Sequence, residues 1–175
     1  MDNDKYPRVP ASDEVDHERD DEEGDLGAGC FWGVQASFDR LKGVVCTQVG
    51  YMGGRTENPT YEQVCTNRTG HAEVVDLRYD PQQISYEELL EAFWNMHDPT
   101  TPNRQGPDVG AQYRSVVFYY DEEQRRAAEA MKDRLSKSGR FSRPIVTEIT
   151  SASPFWRAEE YHQKYHEKHG GACPI

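Results

Sequence analysis

Beyond residue 26 the apolar residues of this 175-residue chain come in short runs, and the order in which their period switches most limits the fold. Val34, Phe38 and Leu41 fall at helical spacing after Cys30, and Gly43 stops that helix. Residues 44–51 read as a strand ending at Gly53-Gly54, and a polar loop over 53–60 leads into one helical turn at 60–65. Residues 72–79 read as a second strand, closed by Asp80-Pro81. Ser85 and Glu88 form a capping box for a helix through Met96. A long loop, 97–112, precedes a third strand at 115–120, and loops of that length are more often functional than idle. Asp121 caps a helix to about Lys137, residues 145–149 read as a fourth strand, and Ser153-Pro154 opens a final helix to about His169. Ahead of Gly29 only Leu26 and Ala28 are apolar, so a strand there is expected to be short or frayed. This order predicts an α/β (α+β) two-layer sandwich, a mixed β-sheet with helices and a ferredoxin-like core.

Charge divides the chain in two. Net charge is -11, and residues 1–25 hold eleven acids against Lys5, Arg8 and Arg19. With so little apolar content these residues are expected to form a disordered acidic arm, and residues 26–175 a single catalytic domain with a flexible C-terminal tail. The acidic balance argues against nucleic acid. No apolar run of about 18 residues and no signal pattern is visible, so neither a membrane partner nor secretion is expected. A cytoplasmic location and a monomer are the default expectations.

Gly29-Cys30-Phe31-Trp32-Gly33 places a thiol at a helix start, where unpaired N–H groups stabilise a thiolate. Phe31 and Trp32 offer an apolar wall for a small uncharged group. The same five residues also suit a buried cysteine in an aromatic core. Glu73 shares a strand face with Val75, Leu77 and Tyr79. A carboxyl on that face is desolvated and becomes a proton donor at neutral pH; at the strand's end it would instead reach water, and the pattern alone leaves both readings open. The other cysteines, 46, 65 and 173, form no C-x-x-C pair and read as free thiols. Cys46 and Cys65 are expected in apolar, inert settings, with Cys65 an alternative partner for Cys30. His162, His166 and His169 have a metal-compatible helical spacing but no fixed fourth ligand, so they read as surface histidines, with His162 in a structural hydrogen bond. No glycine loop suited to phosphate is present, and no metal or other cofactor is expected.

Gly29-Cys30-Phe31-Trp32-Gly33 resembles the active-site motif of the peptide methionine sulfoxide reductase A family. The resemblance continues in order through Val49-Gly50-Tyr51, Asn58-Pro59-Thr60-Tyr61, Gly70-His71-Ala72-Glu73-Val74-Val75, His97-Asp98-Pro99-Thr100, Arg104-Gln105-Gly106, Gln112-Tyr113-Arg114-Ser115 and Glu160-Tyr161-His162-Gln163. It implies an α/β fold of the expected kind and the reduction of methionine S-sulfoxide, free and in proteins. Cys30 would then be the nucleophile, Glu73 the acid, and Phe31 with Trp32 the methyl pocket. Tyr61 and Tyr113 match tyrosines that hydrogen-bond the sulfoxide oxygen, and Asp108 an aspartate lining the same site. Taken alone, either tyrosine reads as an ordinary core or surface aromatic. Cys173, after Gly170-Gly171, corresponds to a resolving cysteine, and thioredoxin would reduce the resulting disulfide. A thiol peroxidase and a non-enzymatic redox sensor also use a low-pKa cysteine, but neither needs an acid beside it.

Overall fold

The structure, a computed structural model, describes residues 20–169. In chain order its elements are β1 (Glu22–Ala28), α1 (Phe31–Asp39), β2 (Val44–Met52), α2 (Tyr61–Cys65), β3 (Ala72–Tyr79) and α3 (Tyr86–Asn95). There follow β4 (Arg104–Gln105), β5 (Asp108–Val109), β6 (Ser115–Tyr119), α4 (Glu122–Lys137), β7 (Glu148–Ser151), β8 (Trp156–Arg157) and α5 (Tyr165–His169). Residues 1–19 of the expected acidic arm lie outside the described residues, as does Cys173.

Six strands form one mixed sheet in the order β7-β6-β1-β3-β2-β8, and β4 pairs with β5 in a separate hairpin. Only β6 and β7 run parallel. The central order β6-β1-β3-β2, with α1 and α3 as crossovers, is that of a ferredoxin-like core. One sheet face carries Leu26, Val49, Tyr51, Val75, Leu77, Tyr79 and Val117 and is covered by Phe38 of α1, Leu90 and Phe93 of α3 and Met131 of α4. The other face carries Met52, Ala72, Val74, Val116 and Phe118, against Phe155 and Ala152. The alternation of Val74 with Val75 and of Val116 with Val117 follows from the two-residue period of a strand. No helix among the described residues is long and apolar enough to cross a membrane.

β1 departs most from expectation. It is neither short nor frayed, and it begins inside the expected arm, at Glu22 rather than at 26. It lies between β3 and β6, and its acids find partners across the sheet. Glu22 accepts from the Tyr79 hydroxyl at 2.6 Å, Asp25 accepts from the Tyr120 hydroxyl, and Glu23 lies 3.9 Å from the Arg78 guanidinium. Two other elements also shift. The strand expected at 145–149 is β7, Glu148–Ser151. The helix expected from Pro154 is replaced by β8, a 3-10 turn at Glu160–His162 and α5. There the Gln163 side chain acts as a strand neighbour: its Oε1 accepts from Val49 N–H and its Nε2 donates to Val49 O, both at 2.9 Å.

Candidate active site

The chain turns sharply between β1 and α1. Gly29 holds φ +100°, and a Cβ there would sit 2.7 Å from Gln105 Cγ, so glycine is required on both counts. The next residue, Cys30, is the N-cap of α1; its side chain makes no capping bond, and the residue is half-buried. The backbone N–H of Phe31, one of the helix's unpaired donors, instead donates to Glu73 Oε1 at 3.2 Å. Cys30 and the Glu73 carboxyl thus share one helix N-terminus, brought together by the antiparallel register of β1 with β3, which pairs Leu26 with Val75.

Glu73 is 1 % exposed. Burial pushes its carboxyl up to about 8, against the lowering effect of the Phe31 N–H, with a further upward push from Asp108. At neutral pH it is a neutral acid. Since Oε1 accepts from Phe31, the proton belongs on Oε2, a buried oxygen with no partner among the described residues. This is a proton donor with its donating valence unspent.

Three further expected residues gather around that carboxyl. Tyr61, at the first position of α2, interacts electrostatically with Glu73 and Tyr113 and shares a hydrogen bond with the Cys65 thiol. Tyr113, closing the 3-10 turn Ala111–Tyr113, feels Glu73, Asp108 and Cys30. Burial raises both phenols above their ordinary range, so both are neutral O–H groups at physiological pH. Asp108 reaches the site from the β4–β5 hairpin in the long 97–112 loop. Cys30, Glu73, Tyr61, Tyr113 and Asp108 therefore form one constellation drawn from five separate segments.

Phe31 and Trp32 meet a cluster of rings. Phe31 is buried, 5.8 Å from Tyr51 and 5.2 Å from His162 between ring centroids. Trp32 is half-buried, stacks on Tyr165 at 3.8 Å and donates its indole N–H to His162 Nδ1 at 2.9 Å. That bond requires an unprotonated Nδ1, so His162 is neutral with its proton on Nε2; burial, which lowers its pKa, favours the same form. The expected structural hydrogen bond of His162 is present, but the residue is fully buried rather than on the surface, because the chain folds it into the ring cluster of Phe31, Trp32 and Tyr61. The metal-compatible histidine spacing is not present, because His162 closes a 3-10 turn while His166 and His169 lie on α5. Among the described residues no group of three or more His, Cys, Asp or Glu could hold a metal.

Cys46 and Cys65 are not core residues: the first is half-buried and the second exposed. Both thiols are raised, chiefly by desolvation, which leaves little thiolate at neutral pH. Sequence reasoning missed Tyr51 and Glu159. Tyr51 lies directly opposite Glu73 in the β2–β3 register, and its hydroxyl donates to Glu159 Oε1 at 3.0 Å. The strand period could have placed Tyr51 on the Glu73 face; Glu159 was hidden by reading its segment as a helix.

A half-buried thiol beside a buried neutral acid, on an α+β sandwich, is the equipment of a cysteine-dependent enzyme. The description of the family "Peptide methionine sulfoxide reductase" matches residues 22–174. A peptide methionine sulfoxide reductase MsrA from Methanoculleus marisnigri is 61% identical over 150 residues, covering 86% of this chain and 92% of that one. One from Geobacter metallireducens is 60% identical, covering 86% and 93%. Among solved structures, reduced Mxr1 from Saccharomyces cerevisiae superposes with a TM-score of 0.82 at 33% identity, covering 88% of both chains. Methionine sulfoxide reductase A of Corynebacterium diphtheriae gives 0.77 at 38%, covering 88% and 78%. Mxr1 in complex with Trx2 gives 0.62 at 23%, covering 94% and 93%, a likeness of fold alone. The chain belongs to the peptide methionine sulfoxide reductase family, in its MsrA branch. It is an oxidoreductase that acts on methionine sulfoxide.

Proposed function

We propose that this enzyme reduces the S epimer of methionine sulfoxide, free and in proteins, by a two-cysteine cycle. The Cys30 thiolate attacks the sulfoxide sulfur while Glu73 gives its proton to the oxygen. Methionine leaves, and Cys30 keeps the oxygen as a sulfenic acid. The Cys173 thiol then forms a disulfide with Cys30 and releases water. A thioredoxin dithiol reduces that disulfide and is itself oxidised. Tyr61 and Tyr113 donate hydrogen bonds to the developing oxyanion, and Phe31 with Trp32 receives the methyl group. Asp108 lines the site. Restriction to the S epimer and the use of thioredoxin are what the family resemblance implies.

The observation that carries this reading is the buried Glu73 carboxyl, pushed up to about 8 by desolvation, bound through one oxygen to the N–H that follows Cys30 and with the other oxygen unpartnered among the described residues. A peroxidase or a sensor thiol has no use for it. The test is single-turnover reduction of separated S and R epimers of N-acetylmethionine sulfoxide by prereduced protein. Methionine from the S epimer alone, with two thiols lost, is the expected result. Cys30→Ser should make none, and Cys173→Ser should make one equivalent without thioredoxin-driven turnover. Product from neither epimer, with rapid peroxide consumption, would move the assignment to a thiol peroxidase.

A further inference from the structure

Tyr61 sits on a short helix that is packed on the core through Val64, and its ring lies 4.4 Å from that of His162. α2 has five residues, far below the length at which a helix holds in water. Its N-terminus is closed locally by Thr60, whose hydroxyl accepts from Gln63 N–H while the Gln63 side chain accepts from Thr60 N–H. Those bonds shape the turn but do not fix where it lies against the sheet. A long-range tie comes from Glu159. Its Oε2 accepts the Tyr61 backbone N–H at 3.1 Å, and its Oε1 accepts the Tyr51 hydroxyl at 3.0 Å. Tyr51 is the cross-strand neighbour of Glu73. One carboxylate thereby fastens the residue carrying the Tyr61 phenol to the strand pair carrying the acid.

The segment behind Glu159 is itself anchored. Ala158 N–H donates to Val49 O at 2.9 Å, and Gln163 bonds both backbone groups of Val49. Lys164 N–H donates to Gln35 Oε1 at 2.8 Å, and its ammonium meets both Asp39 oxygens at 2.7 Å. Glu159 is therefore held from a rigid base.

We propose that Glu159 is a positioning residue of the sulfoxide site, its carboxylate bridging the Tyr51 hydroxyl and the Tyr61 N–H so that the Tyr61 phenol is fixed relative to Glu73. This rests on the reading of Tyr61 as a donor to the sulfoxide oxygen. Its action on the reaction runs through Tyr61, whose displacement by a fraction of an ångström weakens a hydrogen bond that matters most in the transition state.

The experiment compares wild type, Glu159→Ala, Glu159→Gln, Tyr51→Phe, Tyr61→Phe and Glu159→Ala/Tyr61→Phe. Each is assayed by single-turnover reduction of N-acetylmethionine S-sulfoxide and by iodoacetamide alkylation of Cys30, a reaction that needs the thiolate but not Tyr61. Glu159→Ala should slow reduction between about 10- and 100-fold, with alkylation of Cys30 unchanged. Glu159→Gln should recover part of the loss, since the Tyr51 hydroxyl can turn to accept from an amide. Adding Glu159→Ala to Tyr61→Phe should cost little more, because both changes act through one phenol. An unchanged reduction rate in Glu159→Ala, or losses that multiply in the double variant, would overturn the proposal. If Glu159→Ala does not fold, Tyr51→Phe, which removes only one of the two bonds, carries the comparison: a slowed reduction with normal alkylation supports the proposal and a wild-type rate overturns it. Wild-type protein that yields no methionine would instead overturn the reading of the site itself.

Discussion

Glu73 and His97 are both buried and both held neutral by desolvation, yet their hydrogen-bonding capacity is used in opposite ways. His97 anchors a closed chain. Its Nδ1 donates to Phe93 O at 2.6 Å, its Nε2 accepts from Ser115 Oγ at 2.7 Å, Ser115 accepts from Thr147 Oγ1 at 2.8 Å, and Thr147 accepts from the Trp94 indole at 3.0 Å. The two end bonds fix every proton in between, so the network has one arrangement. Its imidazole is held down at about 4, and it welds α3, β6 and the segment at Thr147 together. Among the described residues Glu73 ends its chain after one bond and keeps Oε2 unpartnered. Buried polar groups with all partners supplied specify a fold, whereas one left with a spare donor is destabilising and is kept for what it does to a substrate.

The largest expected effect falls on the Glu73 side. Glu73→Gln preserves the acceptor for Phe31 N–H but removes the acidic proton, and should slow single-turnover sulfoxide reduction by about 100-fold or more. The residual rate would depend on solvent protons and fall as pH rises. A near-normal rate would remove the contrast between the two regions.

The same contrast predicts stabilities of opposite pH dependence. Glu73 titrates at about 8 when folded against an ordinary 4.5, so the folded state binds the extra proton between those values. Its contribution is fully present below 4.5 and is lost as pH rises to 8, the loss reaching about 3 kcal/mol by pH 7. Glu73→Gln should therefore melt higher than wild type near pH 8 and show little advantage near pH 4.5; calorimetry across that range checks it. His97 behaves inversely. Its folded value of about 4 lies below an ordinary 6.5, so the unfolded state binds the extra proton in that window. Stability is undiminished above 6.5 and falls by about 3 kcal/mol as pH drops to 4. Denaturant titrations of His97→Ala should lack that acid slope. Both groups are buried, so surface screening does not reduce these figures.

The smallest effect tests whether the His97 chain is purely architectural. Thr147→Val leaves the Trp94 N–H and Ser115 short of partners and should cost about 1–3 kcal/mol of stability. The rate per folded molecule should be unaltered.

What the sequence made legible follows the range of the interactions. Residues 72–79 and α4 fall where period and caps put them, because Asp121 and Asp80-Pro81 act within a few residues. The Gly29–Gly33 turn could be read from a helix-start pattern, whereas the strand period put Glu73 on an apolar face without deciding between a buried acid and a solvated strand end; only the family resemblance chose the acid. β1 was not legible, since nothing near Glu22 or Asp25 reveals that Tyr79 and Tyr120 wait across the sheet. The helix predicted after Pro154 has a sound local start but loses to the edge of β2, which takes Trp156 by backbone pairing and Gln163 by side chain. Glu159 disappeared from view with that misreading, although its two partners lie close to the acid.

The most direct test is an infrared titration of the Glu73 carboxyl, from the difference between wild type and Glu73→Gln in prereduced protein. A protonated-carboxyl band that persists at neutral pH and bleaches with a midpoint near 8 is the expected result. A band already lost by pH 6, leaving an ionised carboxylate beside Cys30, would contradict the assignment of Glu73 as the acid.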